Sequence, residues 1–480
     1  MVTVLGANSV TGGYDVENSL RFNNASSDYL NLTAAGNSTL STKGTWSTWI
    51  KKSNPGSSRG PLFSGYADAS NRVYMVINAD AITVFGKVGG TVRYTAQVDQ
   101  FNRDTSAWMN IVVAIDTTQG TAANRIKIYI NGTAATIGDT NTPVYPVQDT
   151  AIPYAATSSY TNLVGALYST SLSQYLDGYL AETVFVDGLA LDQDSFGEFD
   201  EDSGIWKPIK VSGLTFGDNG FYLDFEASGN LGNDANGGTD FGESGLAATD
   251  QSTDTCTNNF ATWNPLDNFY QSNTYSEANL QVQTQSTSFT YNSATIGVST
   301  GKWYWEVEYD AKSGGTDQPM IGITSTQPTA NDNELGNFPN DFAWYTDNGT
   351  GYLSNDNTYS DESFSAYTVG NVISVALDLD NNKLYFAKNG TWEKSGNPES
   401  GSTGTGAISI TSTASTPLGA YFPSVGDATN SQNATFKTNF GSPPFAISSG
   451  NADGNGFGNF EYAVPSGYFA LCTKNLAEYG

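Results

Sequence analysis

Three carboxylates alternate along the stretch "GKWYWEVEYD", residues 301–310. If the stretch is a strand, Trp303, Trp305, Val307 and Tyr309 share one face, and Tyr304, Glu306, Glu308 and Asp310 share the other. Same-face neighbours on a strand lie about 6.5–7 Å apart, so distance alone allows a glycosidase carboxylate pair. The alternative is the water-exposed side of a half-buried strand. The surrounding sequence favours this second interpretation.

The chain contains no histidine, which excludes histidine-based catalytic triads and histidine-ligated metal sites. We expect no cofactor, with calcium as the one candidate ion. Asp234, Asn236 and Asp240 could hold calcium through oxygen ligands, and an ordinary polar loop is the alternative. The stretch "DLDNN" (378–382) starts like a calcium loop. Lys383 stands where such a loop needs glycine, so the stretch predicts a hairpin turn.

A second group of residues could bind a ligand without catalysis. The stretch "FAWYTDNGTGYLSND" (342–356) is rich in aromatic and polar side chains. Its aromatic rings offer stacking faces and its polar groups offer hydrogen bonds, which is how proteins hold sugars. The alternative is strand packing for the tryptophan beside a loop with no ligand. The candidate ligand-binding residues are Trp344, Tyr345, Asp347, Asn348 and Tyr352.

The composition predicts an all-β protein. Of the 480 residues, 13% are aromatic, only 14% are charged and 51 are glycine, which suits short strands joined by tight turns. The net charge of −28 repels phosphate backbones and argues against nucleic-acid binding, while it is compatible with a saline setting. Two cysteines, Cys256 and Cys472, are too few for a disulfide framework and are expected to be separate thiols.

No membrane attachment is expected. No run approaches the roughly 18 apolar residues that a membrane span needs. The start, "MVTVLGANSVTGGYD", lacks a basic region and an apolar core, so we expect no signal peptide.

The distribution of strand patterns and of Gly, Asn and Asp along the chain predicts two antiparallel β-sandwich domains of jelly-roll-like form. Strand signals fill residues 1–212, and a Gly/Asn/Asp-rich stretch at 213–285 predicts a connector that is ordered only where it packs on its neighbours. Strand signals return over 286–446. The extension 447–480 carries several aromatic residues, so we expect it to pack on a neighbouring subunit or on the N-terminal domain.

The second half closely resembles a SPRY domain. The matching stretches are "GKWYWEVEYD", "MIGIT", "GNVISVALDLDNNKLYFAKNGTW", "GAYFPSV" and "ATFKTNFGSPPF", which together cover roughly 296–446. The resemblance implies a bent two-sheet sandwich that binds ligands through loops at one edge, to which residues 342–356 contribute. It implies no catalysis for the strand 301–310.

The first half resembles a laminin-G-like, concanavalin A-like sandwich over roughly 17–195. The carriers are "SLRFNNASSDYLNL", "GTWSTWIKKS", "WMNIVVAIDTTQGTAANRIKIYING" and "LDGYLAETVFVDGLAL". Glucanases of this fold use a Glu-x-Asp-x-x-Glu pattern, which Glu306, Glu308 and Asp310 match in neither order nor spacing. Glu182 and Asp187 are the nearest carboxylates in this half, and their spacing is also poor.

Several stretches resemble virion proteins of tailed phages from marine and freshwater settings. They include "GYLAETVFVDGLALDQDSFGEFDEDSGIWKPI", "NGFYLDFEASGNLGNDANG", "TNNFATWNPLD" and "GYFALCTKNL". The resemblance implies a surface protein of the particle, such as a tail fibre, head fibre or capsid decoration, that is made in the host cytoplasm.

The expected function is therefore non-catalytic attachment to host-surface glycans or to other virion proteins. The alternatives are a virion-associated glycan-degrading enzyme and a purely architectural decoration without a ligand. A homo-oligomer is expected, because linked weak sites gain avidity. The resemblance to phage appendages suggests a trimer.

Overall fold

The computed structural model divides the chain into two compact units, one ending at Asn258 and the other spanning Asn259–Gly480. Both units are built almost wholly from antiparallel strands, so the predicted all-β class with sandwich domains is confirmed. The boundary between the units falls inside the predicted connector, 213–285. The described residues are 13–33, 36–53, 60–78, 81–99, 104–138, 141–152, 160–268, 272–315, 318–328, 330 and 332–480.

The first unit contains two large sheets. Its strands are β1 Ser19–Phe22, β2 Tyr29–Thr33, β3 Lys43–Lys52, β4 Gly60–Asp68, β5 Asn71–Asn78, β6 Ala81–Val88, β7 Thr91–Asp99, β8 Trp108–Asp116, β9 Ile126–Ile130, β10 Thr133–Ala134, β11 Thr161–Val164, β12 Ala166–Tyr168, β13 Leu172–Tyr175, β14 Gly178–Asp187, β15 Gly197–Phe199, β16 Trp206–Pro208, β17 Phe221–Leu223, β18 Gly242–Ser244 and β19 Gln251–Ser252. The larger sheet has the order β10-β9-β8-β3-β14-β1-β19, with β17 also paired to β14. The other has the order β18-β2-β11-β4-β5-β6-β7.

Strands β3 and β14 lie at the centre of the larger sheet and are buried on both faces. On the inner face, Trp46 pairs with Phe185 and Ile50 pairs with Leu180, and all four belong to the core between the sheets. On the outer face, Val184 packs in a smaller cluster with residues of the chain after β14. The almost continuous burial of these strands follows because later segments cover the outer face.

The second unit also contains two large sheets. Its elements are β20 Thr274–Ser276, β21 Gln281–Gln283, β22 Thr290–Ser293, β23 Lys302–Lys312, β24 Pro319–Thr324, β25 Phe342–Asp347, β26 Thr350–Asn355, β27 Thr358–Phe364, β28 Val372–Asp378, β29 Lys383–Lys388, β30 Thr391–Trp392, β31 Ile408–Ser409, β32 Phe422–Asp427, β33 Ala434–Asn439, β34 Phe469–Ala470 and α1 Thr473–Tyr479. One sheet has the order β20-β21-β33-β23-β28-β29-β30, with β31 paired to β29 and β34 to β23. The other has the order β22-β32-β24-β25-β26-β27.

Short 3₁₀ turns connect several of these strands, and helix is otherwise scarce. Among the described residues, no helix is both long and apolar enough to cross a membrane. The 3₁₀ turns are Ala122–Asn124, Gln193–Ser195, Ala248–Asp250, Pro265–Asp267, Glu277–Asn279, Glu393–Ser395, Pro398–Thr403 and Thr413–Ser415.

The predicted connector, 213–285, contributes strands to both units. Strand β17 pairs with β14, β18 with β2, and β19 with β1, while β21 pairs with β33 in the second unit. The few apolar residues of this segment supply the packing, since Phe221, Leu223 and Phe241 lie in the core of the first unit. Packing on neighbours therefore orders nearly the whole segment.

Two buried ion pairs fix the end of the first unit. The Arg21 guanidinium lies 3.0 Å from Asp250, and the Lys51 ammonium lies 2.7 Å from Asp254. The indole N–H of Trp108 also donates to Asp254, at 3.0 Å. The cations project from the outer face of the larger sheet, so they hold the residues around β19 against it.

The C-terminal extension packs on its own unit. Phe469 and Ala470 of β34 pair in parallel with Trp303 and Tyr304 of β23. Phe460 and Tyr468 are fully buried in a cluster with Tyr304 and Tyr385. The structure thus differs from the expectation that residues 447–480 pack on a neighbour or on the N-terminal domain, because the extension covers Tyr304, Ala376 and Tyr385 on the outer face of its own sheet.

Glu306 is fully buried beneath this extension. Its carboxylate accepts hydrogen bonds from the backbone N–H groups of Glu461 and Tyr462 at 2.9 and 2.8 Å. It also accepts from the Tyr304 hydroxyl at 2.9 Å and from the Asn439 amide at 3.2 Å. Burial raises the pKa of Glu306, and these bonds oppose the shift.

The predicted water-exposed strand face is therefore wrong at Glu306. Farther along β23, Glu308 is half-buried and Asp310 pairs with Lys437 at 2.8 Å. The three carboxylates thus differ in environment, and Glu306 fastens the extension to the sheet.

Both cysteines are free thiols, as predicted, and both are buried. The stretch 378–382 forms the hairpin turn between β28 and β29, also as predicted. In that turn Asp378 accepts from the backbone N–H of Asn381 at 3.0 Å.

Candidate functional site

Strand β25 divides the predicted ligand-binding residues between two faces. Trp344 is fully buried, contacts the rings of Phe364 and Tyr367, and donates its indole N–H to the Ser365 carbonyl at 2.9 Å. Tyr345 follows it directly and lies on the opposite face, because successive side chains of a strand alternate. Trp344 therefore belongs to the core, which is the strand-packing alternative that the sequence left open for it.

Three tyrosines gather on the outer face of the six-stranded sheet and are called the tyrosine cluster: Tyr345, Tyr352 and Tyr359. Tyr345 and Tyr352 are direct cross-strand partners, with ring centroids 5.9 Å apart. Tyr359 on the edge strand β27 lies 4.6 Å from Tyr345 and 6.5 Å from Tyr352. Tyr345 is buried, Tyr352 is half-buried, and Tyr359 is 46% exposed. The cluster thus presents one accessible ring on a buried aromatic support.

Polar side chains border the tyrosine cluster on two sides. The Tyr359 hydroxyl donates to the carboxylate of Glu334, which is buried on the loop before β25. The Gln318 amide donates to the Tyr345 hydroxyl at 2.6 Å. Burial raises the pKa of Glu334, the bond from Tyr359 partly offsets this, and the charge of Asp332 adds to it. The cluster therefore combines an open ring with fixed hydrogen-bonding groups.

Asp347 and Asn348 lie at the tip of the hairpin between β25 and β26. Asp347 is half-buried, and Asn348 is exposed with a φ of 50°, followed by Gly349 at 83°. Positive φ at both central residues is the geometry of a type I′ turn, which Asn-Gly favours. Asp347 shares the outer face with Tyr345, and Asn348 extends the same end of the hairpin into solvent.

The structure adds three residues to the predicted site: Gln318, Glu334 and Tyr359. Tyr359 was within reach of sequence reasoning. A turn at Asp356 and Asn357 pairs Ser354 with Tyr359, which places Tyr359 on the same face as Tyr352. No alternation or turn pattern in the sequence places Gln318 and Glu334 at the cluster. Gln318 lies just before β24 and Glu334 lies in the loop before β25.

The predicted calcium ligands lie together in one loop of the first unit. Asp234 accepts from the backbone N–H groups of Tyr222 and Asn236 at 2.9 and 3.0 Å. Asp240 accepts from the backbone N–H of Asp234 at 3.0 Å and from the Asn230 amide at 2.7 Å. The carboxylates are thus engaged in shaping the loop. Within the described residues no group of three or more acidic or cysteine side chains could hold a metal ion.

The carboxylates that an enzyme would need in the first unit are far apart. Glu182 and Asp187 lie five positions apart on β14, which corresponds to roughly 16 Å of strand. Glycosidase pairs lie at most about 9.5 Å apart. Asp187 is also engaged by the Ser38 hydroxyl at 2.8 Å. These two residues therefore do not form a glycosidase pair.

A family model described as the SPRY domain matches residues 302–442. The match runs from β23 to just past β33 and contains the whole tyrosine cluster. Residues 302–442 therefore form a SPRY domain. The predicted resemblance of the second half is confirmed, while the laminin-G-like resemblance of the first half stays a prediction.

Solved structures that the chain matches include the SPRY domain of human HERC1, at 19% identity over 33% of this chain and 86% of that one, with a TM-score of 0.25. The TRIM65 PSpry domain matches at 13% identity over 37% and 88%, with a TM-score of 0.26. A heptameric SAP-like pentraxin from Limulus polyphemus matches at 13% identity over 37% and 80%, also with a TM-score of 0.26. No curated protein sequence matches the chain.

Proposed function

We propose that this protein acts by non-catalytic attachment and that the tyrosine cluster of its SPRY domain binds a glycan. The observation that supports this most is the half-exposed ring of Tyr359, which lies 4.6 Å from the Tyr345 ring and is hydrogen-bonded to the buried Glu334. Sugars stack their C–H faces on such rings and exchange hydrogen bonds with adjacent carboxylates and amides. A protein ligand on the same face is the second candidate, favoured by the match to an interaction domain.

We propose the surface of a tailed-phage particle as the setting, with the protein serving as a tail fibre, head fibre or capsid decoration. The support is the resemblance of several stretches, among them residues 178–209, to phage virion proteins. The net charge of −28 suits a surface exposed to salt water, because dissolved ions screen its self-repulsion.

We propose a homo-oligomer, with a trimer favoured, as the working form. The aromatic residues of the extension 447–480 offer no support, because Phe460 and Tyr468 are buried in their own unit. The proposal of linked copies rests on the avidity that linked weak sites provide, of order 10²–10⁴. The preference for a trimer rests on the resemblance to phage appendages.

The test is binding of the full-length protein to an array of bacterial surface polysaccharides. We expect at least one polysaccharide to be bound, and Tyr359→Ala to weaken that binding about tenfold, which corresponds to about 1.4 kcal/mol. Val369→Ala is the matched control, because Val369 is an exposed apolar residue of the same unit. Equal binding by the Tyr359→Ala protein would contradict the proposed site.

The rival functions give different results in the same experiment. A glycan-degrading enzyme would release new reducing ends from the bound polysaccharide. A purely architectural decoration would bind purified particles but no polysaccharide on the array.

A further inference from the structure

A shallow depression of about 290 Å³ lies on the outer face of the larger sheet of the first unit. Strands β8 and β9 form its floor and the segment after β14 forms one wall. The apolar part of the floor includes Tyr129, which is half-buried and packs with Leu191 in the outer cluster. The polar residues that line the depression include Gln119, Asn124, Lys127 and Asp192.

Asp192 is one of the residues that line the depression. It occupies the N-cap position of the 3₁₀ turn Gln193–Ser195 but makes no capping hydrogen bond. Within the described part of the chain its exposed carboxylate accepts no hydrogen bond. Asp192 and Tyr129 line the same depression. Burial, and then the charges of Asp192 and Asp194, raise the pKa of Tyr129. A free carboxylate thus borders an aromatic ring.

The loop that carries Gln119 and Asn124 is held rigid although it is exposed. The Arg125 guanidinium donates to the carbonyl groups of Gln119, Gly120 and Pro146 at 2.8, 3.1 and 2.9 Å. A loop fixed in this way presents its polar groups without an ordering cost on binding.

The amide side chains of this loop are also fixed. The Gln119 amide donates to Asp116 at 2.8 Å, and the Lys127 ammonium donates to Asn124 at 3.1 Å. These bonds leave the Asn124 amide N–H groups free to donate to a ligand, since they have no partner among the described residues.

We propose that this depression is a second glycan site, which takes one monosaccharide unit on the Tyr129 ring with its hydroxyl groups bound by Asp192, Asn124 and Lys127. The lining mixes both charge signs with amides, which suits a neutral ligand rich in hydroxyl groups. A phosphate group would be repelled by Asp192 and Asp116. The volume lies just below the roughly 300–1,000 Å³ found for ligand pockets, so one sugar unit of a longer chain fits better than a large ligand.

The test uses saturation-transfer NMR on the full-length protein with methyl glycosides of glucose, galactose, mannose, rhamnose and N-acetylglucosamine. All measurements are made in the Tyr359→Ala background, so that the tyrosine cluster does not contribute. We expect at least one glycoside to bind, and the additional change Asp192→Ala or Lys127→Ala to weaken its affinity at least about fivefold.

Asp202→Ala is the control, since Asp202 is an exposed carboxylate of the same segment outside the depression. The second site is overturned if no glycoside binds in the Tyr359→Ala background. It is also overturned if Asp192→Ala leaves the affinity unchanged. Neither result concerns the tyrosine cluster, whose test is the effect of Tyr359→Ala on polysaccharide binding.

Discussion

Two buried carboxylates, those of Glu306 and Glu182, are held by hydrogen bonds inside the fold. Glu306 accepts four hydrogen bonds under the C-terminal extension, and Glu182 lies buried in a bulge of β14. Each is surrounded by donors of its own unit, which is the arrangement that makes a buried acidic group tolerable. Their effects should therefore appear in stability, while the proposed ligand binding involves the exposed Tyr359.

We expect Glu306→Ala to lower the free energy of unfolding by about 3 kcal/mol. The change leaves the backbone N–H groups of Glu461 and Tyr462 and one N–H of the Asn439 amide without a hydrogen-bond acceptor. Urea unfolding measures the effect. Glu308→Ala is the control on the same strand and should cost less than about 1 kcal/mol, because Glu308 is half-exposed. Equal losses for the two variants would show that Glu306 does not anchor the extension.

We expect Glu182 to make the stability of the first unit depend on pH. Burial raises the pKa of Glu182 to about 7, the bond from the Tyr222 hydroxyl at 2.7 Å opposes the shift, and the Asp224 charge adds to it. In the unfolded chain the carboxyl titrates near its usual pKa of 4.5. Between these values only the folded protein holds the proton, so stability falls as pH rises from about 4.5 to about 7, by roughly 1.4 kcal/mol per pKa unit.

Unfolding of the Glu182→Gln variant across this pH range tests the assignment. Its curve should be flatter than that of the unmodified protein, while Glu201→Gln, at an exposed position, should leave the curve unchanged. If stability changed with pH equally in Glu182→Gln and in the unmodified protein, a group other than Glu182 would be responsible for the pH dependence.

In both units, later segments of the chain cover the outer face of a sheet. In the first unit the residues around β19 return to β1 and β3 through Arg21–Asp250 and Lys51–Asp254. In the second, β34 and the residues around Phe460 cover β23. Central strands in such sheets are buried on both sides, so polar residues on their outer faces must find partners within the chain.

We expect Lys51→Met to destabilise the first unit by about 3–5 kcal/mol, because it leaves the Asp254 carboxylate buried without its cation. Thermal or urea unfolding measures the loss. Lys43→Met is the matched control on the same strand, since the Lys43 side chain is 39% exposed and lies 3.5 Å from Asp116. An exposed pair contributes about 0–1 kcal/mol, so a similar loss for both variants would count against the buried-pair assignment.

The whole molecule carries 48 acidic against 20 basic residues. Its self-repulsion is screened by salt, since the Debye length falls from about 30 Å at 0.01 M to about 3 Å at 1 M ionic strength. Such a protein should be more stable in sea water than in dilute buffer.

We therefore expect the unfolding midpoint to rise when NaCl is increased from about 0.01 M to about 1 M, as measured by scanning calorimetry. Repeating the titration near the isoelectric point of about 4.1 is the control, because the net charge then vanishes and the salt effect should shrink. If the unfolding midpoint did not change with salt at neutral pH, repulsion among the acidic residues would not destabilise the folded protein.

The sequence by itself determined the fold class, the hairpin turns and the SPRY half. Alternation along β23 assigned Trp303 and Trp305 to the core, and Asn-Gly pairs such as Asn348-Gly349 marked turns, because strand periodicity and positive φ are local properties. The same alternation could have separated Trp344 from Tyr345, and the turn at 356–357 could have added Tyr359.

Only the tertiary structure decided which outer faces are covered and by what. Burial of Glu306 depends on a segment some 155 residues later, and the partner of Lys51 lies 203 residues away. Neither contact leaves a periodic signal, because a strand with one wet face and a strand covered by a distant loop share the same local pattern. The arrival of Glu334 and Gln318 at the tyrosine cluster has the same cause, since long-range packing places loops and strand ends where local preferences specify nothing.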